Sequence, residues 1–143
     1  MQEEEIDDFT KQIIEEATYL VEKIKKDFPG LDFSINSLLL IDSFLEQTSK
    51  FYSTIEKDQI QAIISKTGCY IFEVARQNFG GKYFWYDKLN QPILVTGQPE
   101  FEMSLLTFEK VKGRLKNGIE DNIPFFFEGF IAGVKNKKSA MIV

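Results

Sequence analysis

Few residues in this chain could do chemistry, and the absences say most. There is no histidine and one cysteine, Cys69. This removes the commonest general base, the Ser–His and Cys–His nucleophile arrangements and the commonest zinc ligand. One thiol without an imidazole cannot assemble a structural or a typical catalytic zinc site. The run Phe79-Gly-Gly-Lys82 lacks the spacing of a phosphate-cradling loop and follows a helical pattern instead of a strand. No acidic calcium-loop pattern occurs either. The sequence therefore assigns no catalytic residue, no metal and no cofactor.

Three constellations remain. Cys69, Glu73 and Arg76 fall on one face of a helix at 100° per residue. Glu73 and Arg76, three apart, can pair. The plain reading is a satisfied structural pair; the functional one is a cleft site, completed by Tyr83 and Trp85 on the strand that follows. Cys69 has no base near it in sequence to activate it. The second constellation is Lys82-Tyr-Phe-Trp-Tyr86, four aromatics in a row. On a strand Tyr83 and Trp85 face one way and Phe84 and Tyr86 the other, and burial on both faces is the expectation. The third is Pro124-Phe-Phe-Phe-Glu-Gly-Phe-Ile131. On a helix its three consecutive rings point about 100° apart, more than one shallow core face can bury. Phe126, Phe127 and Phe130 are thus the candidate interface residues.

The elements that position these groups follow from periodicity. Residues 4–28 read as an amphipathic helix stopped by Pro29-Gly30, with Ile6, Phe9, Ile13, Ala17, Leu20, Val21, Ile24 and Phe28 on its apolar face. A second helix starts near Ile35 with Ser34 as its cap, and its spacing leaves Asp42 and Glu46 outside. Ser53-Thr-Ile-Glu56 reads as a capping box opening a third helix that runs to Asn78 and ends at Gly80-Gly81. Gly68 inside it costs about 1 kcal/mol against Ala, which close packing would justify. The period then changes to two: 83–86, 92–96 and 101–106 read as strands joined by short breaks. Helices over 108–116 and 124–134 complete the chain. The fold class is α+β in one domain, residues 1–143: three N-terminal helices, a three-stranded antiparallel meander and two C-terminal helices.

The formal net charge of −5 argues against a nucleic-acid partner. The charge is uneven: residues 1–30 carry nine acids and four bases, residues 108–143 four acids and seven bases. The basic end could dock on the acidic end, within one molecule or across two; the simpler account is a solvated helix face. The longest apolar stretch, 123–134, is too short to span a bilayer and contains Glu128, so no membrane partner is expected. A single cysteine and the acidic opening, where a signal peptide would be basic, predict the cytoplasm. Fourteen Phe residues point to an aromatic-rich core.

The segments Ser34-Ile-Asn-Ser-Leu38 with Asp42, Gly68-Cys-Tyr-Ile-Phe-Glu73 with Arg76, Gly80-Gly81, Trp85 and Val111-Lys-Gly-Arg-Leu-Lys-Asn-Gly118 resemble a group of small bacterial domains. That group carries a Gly-x-Tyr-x-Gly-Glu helix followed by Gly-Gly-x-Trp, and is similar in layout to the domain of unknown function 3806 grouping. The resemblance covers about residues 30–130. It implies a bacterial source and an α+β layout, and supplies no activity. Phe72 stands where the pattern has its second Gly. Together these features point to a non-enzymatic protein-interaction module, by analogy of the immunity-protein kind, with a protein partner or a second copy. The other reading is a small-molecule-binding or enzymatic domain with a cleft around Glu73, Arg76, Tyr83 and Trp85.

Overall fold

The computed structural model describes residues 6–143. The expected helix start at residue 4 lies outside them. Helix α1 spans Asp8–Ile24 and is opened by Asp7, whose carboxylate accepts the Thr10 N–H at 2.8 Å. This satisfies one of the free donors of the first turn. Its buried stripe, Ile13, Ala17, Leu20 and Ile24, lies along the third helix. Gly30, at φ +106°, turns the chain in a conformation that a side chain would strain.

Ser34 caps a single tight turn over Ile35–Ser37, and α2 follows as Leu38–Ser49. Helix α3 is Lys57–Phe79. The expected capping box does not form: Tyr52–Thr54 is a separate tight turn, Ile55 is extended, and Glu56 takes the cap position without a side-chain bond. Residues 67–75 of α3 are buried without a break, which makes it the central helix. A Cβ at Gly68 would sit 2.8 Å from Thr107 Oγ1 and clash with the edge of the Phe108 ring, and Thr107 Oγ1 donates to the Gly68 carbonyl at 2.9 Å. Close approach of the chain before the next helix is what the glycine permits.

Strands β1 (Lys82–Tyr86), β2 (Gln91–Thr96) and β3 (Met103–Leu105) form the expected antiparallel meander. Helix α4 spans Phe108–Asn117, a tight turn covers Gly118–Asp121, and α5 spans Ile123–Lys135. A fourth strand, β4 (Ala140–Ile142), then adds parallel to β3, giving a mixed sheet in the order β1-β2-β3-β4. The expected three-stranded, purely antiparallel sheet is corrected here. A parallel partner needs a long crossover, which α4 and α5 supply.

Tyr83, Leu94, Met103 and Leu105 turn one face of the sheet into the helical core. The expected two-sided burial of 83–86 fails because β1 is an edge strand. Tyr83 is buried, but Phe84 is 39% and Trp85 49% exposed.

Helix α5 also corrects the expected interface. Phe126, Phe127 and Phe130 are buried, the last two in an aromatic cluster with Phe79 at ring distances of 5.4–6.3 Å. The helix is enclosed between α2 and the sheet, so more than one side of it is core. Of the three consecutive rings only Phe125 points outward, 75% exposed. Among the described residues no helix is long and apolar enough to cross a membrane.

Candidate functional site

Glu73 is fully buried and all its lone-pair directions are used. Its Oε2 accepts Arg76 Nε at 2.7 Å and the Tyr83 hydroxyl at 2.8 Å; its Oε1 accepts Arg76 Nη2 at 2.8 Å and Gln77 Nε2 at 3.2 Å. A two-pronged guanidinium bond of this kind fixes both partners. The hydrogen bond to Glu73 raises the Arg76 pKa, and the side chain keeps 22% exposure to water. Burial first, and then the Glu73 charge, push the Tyr83 phenol far above its ordinary value, so it stays a neutral donor. The constellation ties the last turns of α3 to β1.

Cys69 is buried on the same helix, and burial pushes its thiol up to about 12. A protonated, enclosed thiol is not a nucleophile.

These two acids dictate an alkaline response. Both keep their protons in the fold, while in the unfolded chain they ionise near 9.0 and 10.0. The stability they contribute is therefore complete below pH 9 and is lost as pH rises. The slope approaches about 1.4 kcal/mol per pH unit for each group ionised only in the unfolded chain. Urea midpoints measured at about pH 8 and about pH 10.5 should show this fall, and Cys69→Ala should flatten its first part. A midpoint unchanged across that range would contradict the assignment.

Trp85 does not join this network. It stands edge-on to Phe9 at a ring distance of 6.2 Å and lines a groove of about 480 Å³ with Phe9, Glu16, Lys66 and Phe108. Glu73, Arg76 and Tyr83 are not among the residues lining that groove. The four candidate cleft residues thus divide into a closed knot of three and one ring on a separate surface.

A second network was not visible in the sequence reading. Asp42, expected outside, is 9% exposed. Its Oδ1 accepts Arg114 Nε at 2.9 Å and the Ile123 N–H at 3.0 Å. Its Oδ2 accepts Arg114 Nη2 at 3.1 Å and Asn122 Nδ2 at 3.4 Å. Arg114, 1% exposed, also reaches Glu46 Oε2 at 2.8 Å. Its pKa is raised, first by the hydrogen bond to Asp42. One carboxylate therefore joins α2, α4 and the first turn of α5, where it also meets the positive end of the helix dipole. The signal was present: Leu38, Ile41 and Leu45 put Asp42 on the apolar stripe of α2 itself. Arg114 Nη1 is buried with no protein acceptor among the described residues.

The three most exposed large apolar side chains of the described residues are Phe125 (75%), Ile119 (67%) and Leu39 (63%). Leu39 is one helical turn before Asp42 on α2. Ile119 is in the turn after α4, and Phe125 donates its N–H to the Asn122 cap at 2.9 Å. The turn and α5 each pack on α2. Two other bases of the C-terminal part pair, Lys110 with Asp121 at 3.0 Å and Lys137 with Glu100 at 2.9 Å. Among the described residues no ion pair joins them to the acids of α1. Comparison with protein-family models, with curated proteins and with solved structures found no match to this chain.

Proposed function

We propose that this chain is a non-enzymatic protein-interaction module whose contact surface is the patch of Leu39, Ile119 and Phe125. One observation carries the reading: the three most exposed large apolar side chains of the described residues fall on α2, the 118–121 turn and α5, and the turn and α5 both pack on α2. Large exposed apolar groups carried on a rigid base mark a docking surface. The buried Asp42–Arg114 knot supplies the rigidity. A photoreactive benzoylphenylalanine in place of Phe125 should cross-link a protein partner or a second copy. The same group at Glu15, exposed on α1, should not. The variant Phe125→Ser should keep its Tm within about 2 °C while losing the association, because the ring makes little of the core. Equal cross-linking at both positions, with a strict monomer by light scattering, would remove the proposal.

A further inference from the structure

A separate groove of about 680 Å³ opens between α1, α2 and α3, on residues the Asp42 knot does not use. Its volume falls in the range of small-molecule sites, roughly 300–1,000 Å³. Leu20, Ile24, Phe44 and Ile63 supply apolar lining, and exposed Tyr19 and Phe51 stand at its rim. The charge is concentrated. The ammonium groups of Lys23 and Lys66 both approach the Tyr19 ring, at 5.9 and 5.0 Å from its centroid. Lys66 also holds Glu16 at 3.0 Å; among the described residues Lys23 has no carboxylate within 4.0 Å. Asp27 is the one acid in the lining.

We infer that this groove binds an amphipathic monoanion, its apolar body lying in the groove and its carboxylate or similar head group held by Lys23. The ligand class follows from the arrangement. Apolar walls take a body that water expels. With Lys66 held by Glu16, the one ammonium of the groove without a carboxylate among the described residues is Lys23, which favours a single anionic head over the several charges an acidic helical peptide would spread along the groove. Tyr19 orients both amines through its ring face, which keeps the positive charge at the groove instead of in bulk solvent. This site is independent of the Leu39, Ile119 and Phe125 surface, so either can fail without the other.

Dodecanoate, below its micelle concentration, is the probe, titrated into the full chain by calorimetry and amide NMR. The expected result is saturable one-to-one binding, with shifts centred on Tyr19, Ile24 and Ile63. Dodecyltrimethylammonium, with the same tail, should bind at least about tenfold more weakly, and Lys23→Glu should weaken dodecanoate by about tenfold. Ile63→Trp should abolish binding by filling the groove, while circular dichroism shows the fold retained. The inference is overturned by equal affinity for the cationic amphiphile, by a Lys23→Glu effect below about twofold, or by no saturation at about 1 mM. Displacement of dodecanoate by an acidic amphipathic helical peptide of higher affinity would overturn the small-ligand assignment and make the groove a peptide site.

Discussion

Asp42→Ala should lower the stability of the fold by about 4 kcal/mol, a fall in Tm of about 12 °C for a chain of this size. The magnitude follows from what the carboxylate does. Four donors converge on it: two nitrogens of Arg114, the Ile123 N–H and the Asn122 amide. Without it a 1%-exposed guanidinium keeps only Glu46, and the backbone donor that opens α5 loses its acceptor. A buried guanidinium left with one half-exposed carboxylate and several unpaired donors is what makes the loss large, since an intact buried pair contributes little beyond its own desolvation cost. The double variant Asp42→Leu/Arg114→Met should accordingly recover most of the loss, because it removes both charges together. Urea unfolding of the single and double variants measures this directly. A single-variant loss below about 1 kcal/mol, or a double variant worse than the single, would contradict the account.

The second large effect is at Glu73. Glu73→Ala should cost about 3 kcal/mol, because the buried Tyr83 hydroxyl and the Arg76 fork lose their shared acceptor. The figure is smaller than at Asp42 because the Arg76 side chain, 22% exposed, can turn to water. Glu73→Gln, which keeps one acceptor but not the charge, should fall between the variant and the native chain. The decisive point is its character. A closed structural knot predicts loss of thermal stability, with no change in dodecanoate affinity or in cross-linking from position 125. If Glu73→Gln instead abolished a binding activity at unchanged Tm, the residue would belong to a site, and the structural reading would be wrong.

Much of the local structure was legible in the residues. The spacing of Ile13, Ala17, Leu20 and Ile24 marked the buried stripe of α1, and the change of period after Gly81 marked the start of the meander. The Glu73–Arg76 pair was readable because three residues along a helix make neighbours. What that pair faced was not readable, since the hydroxyl completing it comes from a different element, at Tyr83. The Asp42–Arg114 bond spans 72 residues, and no local rule singles out that partner.

No catalytic arrangement of histidine could ever arise here, and composition alone determined that. Composition and periodicity also determined an α+β chain with an aromatic-rich core. Only the tertiary structure decided which aromatics face inward: Phe126, Phe127 and Phe130 became core, while Phe125 was left outside. It also decided that β4 joins the sheet parallel to β3, and that Glu73 and Trp85 do not share a cleft. The physical reason is common to all three. Helical period and strand alternation fix directions about one element's own axis, whereas burial depends on what other elements bring to that face.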